Sequence, residues 1–585
     1  MVTVLKRSYR FQALNHVAKC IIDARYRTAD SSARNDYYRF VRERNGCSLR
    51  HNLLRKDIKP KTALIVANGY LPFSRLEALM TKALQLSGFR TMVLGTRRYD
   101  YLRYHQLAGD SAVYVFRDFY GAVPLTWLRH QLPRLRTLAD WLQLTFQGVH
   151  VGRFTVASTL RGRRVGQLDF SNRDVMAELE ETLEESVRNT EAAARLLDEV
   201  QPDCVLVMDR GYLGHGEIFD LALARGLDAI VWTLGYRSDT LLLKRYNVSN
   251  EREHPNSLSV DSWRQIREMP WGPAYGSAIR DELRRCYEAE DWFSLVGTQF
   301  DKQIFTKEAT RRKLGLELDH KIAVVFPPIL WDGSFFWGKD LFEDYTEWLV
   351  ETIRAACDNT NVQWVVKLHP AHVVKAGQGN HSSRPAELDV IERHFPRLPA
   401  HVRLVAHDTD LSTFSLYELA DYVVTVRGTV GIEAALFGIP VVTAGTGRYA
   451  HRGFTLDSSS KEEYLARLAR LETFPRLSEG QVELAERYAY ALFFCRPFRL
   501  ESASLTFERD GRATPRVTIH CQTREDWLRA ADMRALATWI RDGKTEDMLN
   551  FHRSPHLNRT PSAYAENHDT PARCGTEPAN VSSAE

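Results

Sequence analysis

Residues 425–440 read TVRGTVGIEAALFGIP and combine a β-branched run, a glycine-bearing turn, a short apolar helical segment and the start of a second β-branched run. The first run ends at Arg427-Gly428, and Thr429 precedes the helical segment. Pro440 then opens the next run. Strand, helix and strand in this order are typical of a parallel sheet whose strands are joined by crossover helices.

The same alternation extends from this stretch through most of the chain and forms two series. The predicted strands of the first series are Thr62–Ala67, Thr91–Leu94, Asp203–Met208 and Ala229–Thr233, with helices at Ser74–Ser87 and Glu217–Arg225 and a long helical region between about 120 and 200. Those of the second are Ile322–Phe326, Val362–Leu368, Val402–Val405, Tyr422–Val426 and Pro440–Thr443, with helices at Leu341–Ala356, Ser415–Ala420 and Ile432–Phe437. Two parallel sheets in series imply a cleft between two domains. Because ligands of such sheets bind beyond the carboxyl ends of the strands, functional residues are expected in the loops that follow strands.

The bulk composition is that of a soluble globular protein. The 585 residues are 44% hydrophobic and 26% charged, and no apolar run approaches the ~20 residues that span a bilayer. The eight cysteines form no CxxC pair, which predicts reduced thiols in a cytoplasmic protein. Lys6, Arg7, Arg10 and Lys19 interrupt the N-terminus, so no signal peptide is expected.

The net charge of +4 is unevenly distributed, because residues 1–60 carry 14 Lys and Arg against 5 Asp and Glu. Such a basic arm fits the anionic inner face of a membrane or an acidic polymer. The alternative is a solvated helical extension. Nucleic acid is not an expected partner, because no recognition motif accompanies the charge.

The strand Val362–Leu368 ends in Lys367, Leu368, His369 and Pro370. Residues two apart in a strand point to the same side, so Lys367 and His369 are predicted to converge. Pro370 fixes the turn, and a phosphate is the natural partner of such a pair. An incidental His-Pro at a strand end is the alternative.

The turn that follows strand Tyr422–Val426 is the second predicted phosphate element. Free N–H groups at a helix start favour an anion, and Gly428 and Gly431 are predicted to let the backbone approach it. Thr429 can donate a hydroxyl to phosphate, and Glu433 can accept from ribose hydroxyls. A plain helix cap with an acid in its first turn is the alternative.

The loop at 445–454 follows the next strand and should overhang the same cleft. Arg448 and Arg452 are forked donors suited to phosphate or carboxylate, unless the loop is simply a flexible basic one. Asp408-Thr409-Asp410 resembles a metal-binding DxD triplet, but it lies between a short strand and a helix. We interpret it as a loop beside the nucleotide base, and no metal site is predicted.

In the first half the catalytic candidates are Asp209, His215 and Glu217, which follow strand Asp203–Met208 in a glycine-rich loop. In a transfer reaction the hydroxyl that accepts the transferred group needs a general base. Asp, Glu or His can serve as that base. For Asp209 the alternative is a carboxylate that caps a turn. Asn68 and Gly69, in the loop before Tyr70, are candidates for seating the acceptor. Trp331 and Asp332 are candidates for contacting the acceptor or the donor sugar.

Residues 321–500 resemble the capsule polysaccharide biosynthesis proteins, a group related to bacterial Kdo transferases. The pieces that carry the resemblance are Trp331-Asp332, Val366–Pro370, Asp408–Thr413, Ala420–Tyr422, Thr429–Glu433, Gly453–Thr455, Arg487–Tyr490 and Phe493-Phe494. About a third of the chain is covered, and the first half matches more loosely around Asp209–Glu217.

The resemblance implies a GT-B fold, in which two Rossmann-like domains face a cleft, and transfer of a sugar from a nucleotide-sugar donor, CMP-Kdo-like or other, to a polysaccharide or lipid-linked glycan. It assigns His369, Pro370 and Thr429 to the donor's nucleotide and phosphate. Relatives often carry small hydroxyl residues where this chain has Arg427-Gly428, so Arg427 is expected to replace one phosphate-contacting hydroxyl. The nucleotide-sugar is a substrate, and no cofactor or metal is expected.

Three alternatives remain open: a nucleotide-sugar epimerase, a glycerol-phosphate transferase, and a non-catalytic polysaccharide-binding or assembly protein. The predicted organisation is a basic helical extension at 1–60, an N-terminal acceptor domain at 61–300, a C-terminal nucleotide-sugar domain at 318–480, C-terminal helices at 481–552 and a disordered tail at 553–585.

Overall fold

The computed structural model describes residues 35–549, apart from 36, 43–47, 55–58, 70, 96–98, 123, 294–296, 374–383 and 509–513. The predicted tail at 553–585, much of the basic extension at 1–60 and Tyr70 lie outside the described residues.

The first domain is built on a seven-stranded sheet. Six strands come from the first half of the chain: β1 (Lys61–Val66), β2 (Phe89–Leu94), β3 (Val113–Tyr114), β4 (Cys204–Val207), β5 (Asp228–Leu234) and β6 (Thr240–Tyr246). The first five are parallel and lie in the order β3-β2-β1-β4-β5, which is the order of a Rossmann fold. β6 adds to β5 in the antiparallel direction. Helices cover both faces, which is why β4 is an unbroken run of buried residues, CVLV.

The second domain is built on a six-stranded parallel sheet. Its strands are β7 (Lys321–Phe326), β8 (Val362–Lys367), β9 (Val402–Val405), β10 (Tyr422–Thr425), β11 (Val441–Thr443) and β12 (Leu456–Asp457). Their spatial order, β12-β11-β10-β7-β8-β9, is again that of a Rossmann fold, with the reversal of strand order between β7 and β10. The predicted α/β fold of two Rossmann-like domains facing a cleft, the GT-B arrangement, is therefore confirmed.

Helices connect and cover these strands. In the first domain they are α1 (Leu71–Leu86), α2 (Tyr99–Ala108), α3 (Leu125–Gln131), α4 (Leu138–Gln143), α5 (Val151–Arg163), α6 (Arg173–Val200) and α7 (Gly216–Ala224). Along the chain, the segment between the last strand of the first series and β7 contains α8 (Val260–Glu268), α9 (Pro273–Glu288) and α10 (Lys307–Leu314). In the second domain and after it are α11 (Tyr345–Asp358), α12 (Ala386–His394), α13 (Thr413–Leu419), α14 (Val430–Ala435), α15 (Lys461–Leu468), α16 (Glu479–Ala489), α17 (Arg524–Arg529) and α18 (Ala531–Asp542). Short 3-10 turns lie at Phe116–Asp118, Leu132–Arg134 and Leu471–Thr473, and a π-helical turn at Tyr490–Cys495 continues α16.

The C-terminal segment returns to the first domain, and the prediction of helices throughout 481–552 is corrected there. β13 (Phe498–Arg499) pairs with β6 and completes the first sheet, and β14 (Ala503–Glu508) and β15 (Thr514–Ile519) form an antiparallel hairpin. In this hairpin the buried positions alternate with exposed ones, so the local pattern has the period of a strand. Because these strands are short, their period was hidden among helical segments.

A buried charged cluster joins α1 to α2 in the first domain. The His105 ring lies between two carboxylates, with Nδ1 at 3.0 Å from Asp110 Oδ2 and Nε2 at 3.2 Å from Glu77 Oε2. The other oxygen of Glu77 accepts from the backbone N of Asn68 at 2.8 Å. The cluster therefore fixes the loop that follows β1.

In the part of the chain that the structure describes, no helix is both long enough and apolar enough to cross a membrane.

Candidate functional site

A cavity of about 470 Å³ opens between the two domains, at the carboxyl ends of the strands of the second sheet. Residues that follow β7 and β10 line it, so it lies where the strand order reverses, the position at which such sheets bind ligands. The predicted residues that line this cleft are Asp209, Asp332, Lys367, His369, Pro370, Arg427, Gly428, Thr429, Glu433 and Arg448. Ten predicted site residues thus meet in one cavity.

The end of β8 brings Lys367 and His369 to the cleft, as the two-residue spacing predicts. Lys367 is almost fully buried, and its Nζ donates to the carbonyl of Leu368 at 2.8 Å. Burial, together with the nearby charge of Lys302, lowers the pKa of Lys367 to about 7. A bound anion would favour the charged form, since an opposite charge raises the pKa of an amine.

The turn after β10 contributes Gly428 and Thr429. The helix α14 starts at Val430, two residues earlier than predicted, and the Thr429 side chain does not cap it. Within the described residues, the backbone N–H groups of Thr429 and Val430 donate to no protein acceptor. Two N–H groups beside the cleft are therefore available to an oxyanion.

Gly431 has a different role from the predicted one, because it does not line the cleft. A Cβ at this position would lie 2.2 Å from the hydroxyl of Tyr449. That hydroxyl donates to the carbonyl of Gly428 at 2.7 Å. The absence of a side chain at Gly431 thus admits a tyrosine that fixes the turn, and not a ligand.

Glu433 lines the cleft but is itself buried. Its Oε2 accepts from the hydroxyls of Tyr287 at 2.6 Å and Tyr417 at 3.0 Å. Burial raises the pKa of Glu433, and the hydrogen bonds oppose that shift in part. One carboxylate oxygen of Glu433 is therefore already hydrogen-bonded within the protein. The sequence, which predicted a contact of Glu433 with ribose, did not indicate these tyrosine partners.

The arginine that follows β10 is held by the protein. The buried Arg427 forms an ion pair with the partly buried Asp340, and its Nη1 donates to the hydroxyl of Tyr345 at 2.9 Å. Asp340 therefore balances its charge. The expectation that Arg427 replaces a phosphate-contacting hydroxyl is weakened, because the guanidinium is already bound.

Arg448 is the cation that the cleft leaves unbalanced. Its guanidinium makes long hydrogen bonds only to neutral acceptors, the carbonyl of Arg427 at 3.3 Å and the hydroxyl of Tyr236 at 3.4 Å. Among the described residues, no carboxylate lies within ion-pair distance of Arg448 or Lys367. A cavity lined by the unbalanced Arg448 and by Lys367, whose charged form a bound anion would stabilise, favours an anionic ligand.

Arg452, predicted to act with Arg448, lies outside the cleft. Its Nη2 donates to the carbonyl of Leu258 at 3.0 Å, and its guanidinium lies 5.9 Å from the Trp263 ring centroid. The loop turns between the two arginines, so Arg452 braces the segment before α8.

Asp209 is the catalytic candidate that reaches the cleft. Its Oδ2 lies 3.1 Å from Nη1 of Arg161, and its Oδ1 accepts from the backbone N of Gly211 at 3.3 Å. Asp332 reaches the same cavity from the second domain and accepts from the hydroxyl of Tyr212 at 2.9 Å. The first and second domains thus each place one carboxylate at the cleft.

Glu217 and His215 do not line the cleft. Glu217 is fully buried and accepts from Ser186 Oγ and from the backbone N of Gly214, both at 2.7 Å. Burial raises the pKa of Glu217 to about 8. The carboxyl therefore braces the loop that carries Asp209 and does not line the cavity.

The predicted acceptor loop after β1 also lies away from the cavity. The ring of His215 contacts the carbonyl of Ala67 at 3.3 Å, so the start of this loop lies beside the 209–216 loop, and neither Asn68 nor Gly69 lines the cavity. Trp331 is likewise excluded from the cleft. It is buried among the core residues, and the guanidinium of Arg164 lies 5.9 Å from its ring centroid.

Several cleft residues were missed by the sequence analysis. The segment between the domains supplies Tyr287, Trp292, Phe293, Thr298 and Gln299. The pair Trp292-Phe293 in a charge-rich linker was a visible signal, since large aromatic residues rarely stand in a plain linker. His254, after β6, carried no signal in the sequence.

Comparison with known proteins gives one family match. Residues 339–477 match the family model described as capsule polysaccharide biosynthesis protein. This segment includes Lys367, His369, Thr429 and Arg448, but it is about a quarter of the chain. No curated protein sequence is significantly similar to this one.

Solved structures with a similar arrangement include two classes of protein. One is KpsC of Thermosulfurimonas dismutans, a beta Kdo 2,4 transferase, with 13% identity and a TM-score of 0.32 over 57% of this chain and 87% of that chain. The KpsC beta Kdo 2,7 transferase of the same organism has 15% identity and a TM-score of 0.30 over 58% and 89%. A UDP-GlcNAc 2-epimerase from Neisseria meningitidis has 14% identity and a TM-score of 0.25 over 73% and 95%. The predicted resemblance is confirmed by the family model: the segment 339–477, which builds most of the second domain, is similar to the capsule polysaccharide biosynthesis proteins.

Proposed function

We propose that this protein is a glycosyltransferase that moves a sugar from a nucleotide-sugar donor to a growing cell-surface polysaccharide or lipid-linked glycan. The observation that carries the proposal is the pair of basic side chains Arg448 and Lys367, which have no carboxylate partner among the described residues and lie at the reversal point of a Rossmann-like domain. The family match over 339–477 supports the choice of polysaccharide synthesis.

The donor's phosphate is proposed to lie against Arg448, His369, Lys367 and the N–H groups of Thr429 and Val430. These donors are fixed before the substrate arrives, so they stabilise the charge that develops on the leaving phosphate. The base and ribose are proposed to extend towards the aromatic linker residues.

The acceptor is proposed to approach from the first domain, where Asp209 serves as the general base. Arg161 holds this carboxylate in place through the ion pair of its Nη1 with Oδ2 at 3.1 Å. In the GT-B arrangement the acceptor hydroxyl would then face the donor across the cleft.

We propose that the transfer needs no metal ion, because Arg448 and Lys367 supply the positive charge that a metal would otherwise bring. Activity in excess EDTA should then equal activity with added Mg²⁺ or Mn²⁺. A requirement for either ion would refute this part of the proposal. We further propose that the enzyme works at the inner face of the membrane, to which the basic residues 1–60 would bring it.

The test is a thermal-shift panel of CMP, CDP, UDP, GDP and dTDP, followed by incubation of the matching nucleotide-sugar with and without an acceptor glycan. A ligand at 100 times its Kd stabilises the folded state by about 2.7 kcal/mol. We expect one nucleotide to raise the melting temperature and sugar transfer to need the acceptor. Conversion of the donor alone into an epimer would instead show an epimerase. Transfer of glycerol phosphate from a nucleotide-linked donor to the acceptor, with release of the nucleotide, would show a glycerol-phosphate transferase. Glycan binding without nucleotide binding would show an assembly protein.

A further inference from the structure

His254 lies on the first-domain side of the cleft, in the segment between β6 and α8. Its ring lines the cavity and packs on the Trp337 indole, with 4.9 Å between the ring centroids. Its backbone N donates to the carbonyl of Gly447 at 2.8 Å. Since Gly447 directly precedes Arg448, this bond holds a residue of the first domain beside the unbalanced cation of the second.

The hydrogen bonds of the ring determine which nitrogen carries the proton. The backbone N of Asn256 donates to His254 Nδ1 at 2.9 Å. A backbone N–H can only donate, so Nδ1 is the acceptor, and Nε2 carries the proton of the neutral ring. His369 is arranged in the same way, because the backbone N of Ala371 donates to its Nδ1 at 3.2 Å. Each wall of the cleft therefore holds one histidine whose Nε2 is a donor.

The surroundings of His254 keep its ring uncharged. Burial, and then the positive charges of Arg448, Arg427, Arg210 and Arg496, lower the pKa of His254 well below its usual value. These arginines come from the loop after β11, the turn after β10, the loop after β4 and the segment before β13. The ring is therefore a neutral donor at physiological pH.

We propose that His254 binds a phosphate oxygen of the nucleotide donor through its Nε2–H and completes the phosphate site from the first domain. The inference rests on the proposed function and adds a ligand contact that depends on both domains. A neutral donor suits this position, because a third cation beside Arg448 would add like-charge repulsion. His254 is not the general base, since Asn256 occupies its Nδ1 lone pair and its Nε2 is protonated.

The first test compares His254→Phe with His254→Gln by calorimetry, using inorganic pyrophosphate, CMP and UDP as probes. Phenylalanine keeps the stacking on Trp337 and loses the donor, whereas glutamine keeps an N–H donor of similar reach. Because a hydrogen bond to a charged group is strong, we expect about a 10-fold or greater loss of affinity for His254→Phe. His254→Gln should stay within about 3-fold of the wild type. The control is His320→Phe, an exposed histidine of the second domain outside the cleft.

The second test measures an NMR signal of the His254 ring, which would not change on ligand binding if the role of His254 were purely structural. In protein labelled with ¹⁵N-histidine, the His254 signal, identified by its loss in His254→Phe, should show protonated Nε2 and unprotonated Nδ1. The Nε2–H proton should move downfield when the probe binds. If the wild type binds a probe while His254→Phe binds equally well, or the Nε2–H signal does not move, the role of His254 is overturned and the proposed function stands. If the wild type binds neither pyrophosphate nor a nucleotide, both are overturned.

Discussion

Replacing Arg448 by alanine should weaken nucleotide binding without unfolding the protein. The folded state should lose little stability, because the guanidinium makes only long hydrogen bonds to the neutral oxygens of Arg427 and Tyr236. A phosphate about 4 Å away would be attracted by about 4 kcal/mol at an effective dielectric constant of about 20. Since Arg448 is partly exposed, solvent and salt reduce this attraction. Removal of a hydrogen bond to a charged group costs about 1.5–3 kcal/mol, so we expect a loss of about 2–3 kcal/mol.

This loss corresponds to a roughly 30- to 150-fold increase in Kd. The assay is isothermal titration calorimetry with the nucleotide that the thermal-shift panel selects, at 50 mM and 300 mM salt. Arg448→Lys keeps the positive charge but not the two-pronged hydrogen bonding of the guanidinium, so it should lose less nucleotide affinity than Arg448→Ala. Arg452→Ala is the matched control, because Arg452 lies in the same loop and contacts the carbonyl of Leu258 outside the cleft. An unchanged Kd for Arg448→Ala, or an equal loss in Arg452→Ala, would show that the phosphate lies elsewhere.

Three further outcomes follow from the structure. Asp209→Asn should lower the kcat of sugar transfer by about 10²- to 10⁴-fold while nucleotide affinity stays unchanged in calorimetry, and a parallel loss of affinity would contradict its role as base. Gly431→Ala should lower the free energy of unfolding by about 1–3 kcal/mol in urea titrations, because the new Cβ would lie 2.2 Å from the Tyr449 hydroxyl. Gly480→Ala, where nothing lies within 4 Å of the new Cβ, is the control that should not be destabilised in this way. Burial alone would lower the pKa of His105, but its two carboxylate partners raise it from 6.5 to about 9. This histidine therefore stabilises the fold fully below about pH 6.5, and its contribution of roughly 3 kcal/mol is lost as the pH rises through about 9. His105→Gln should remove this pH dependence from the unfolding midpoints between pH 6 and 10.

The parallel strands were predictable because their signal is local. Each of the nine predicted strands is present within two residues of its predicted bounds. The β-branched runs are buried on both faces, so composition alone marks them. The short strands β3 and β12 and the antiparallel β6 were missed. β6 has the sequence TLLLKRY, in which Lys244 and Arg245 obscure the strand. In the fold Lys244 is buried against Asp547, which lies about 300 residues further along the chain.

The candidate site was predictable where chain position fixes it and unpredictable where distant contacts do. Lys367 and His369 follow from the end of a strand. By contrast, the capture of Arg427 by Asp340 and the contact of Gly431 with Tyr449 join separate elements. Contacts between elements that are distant in the chain leave no pattern in the local sequence.

The same limit explains the errors in the first domain. Glu217 follows the correct strand, in the first turn of α7, but α6 buries it through Ser186. His254 lies in a loop without a motif, and only the docking of the two domains brings it to the cleft. Side-chain direction and domain contacts, which decide these cases, depend on the whole fold.

The donor-phosphate site is tested most directly by a crystal structure of the protein with the nucleotide selected by the thermal-shift panel. We expect the phosphate to lie in the cleft between the domains, with its oxygens within hydrogen-bond distance, roughly 3 Å, of the Arg448 guanidinium and of the N–H groups of Thr429 and Val430. A nucleotide bound outside this cleft, or one whose phosphate contacts neither Arg448 nor this turn, would contradict this expectation.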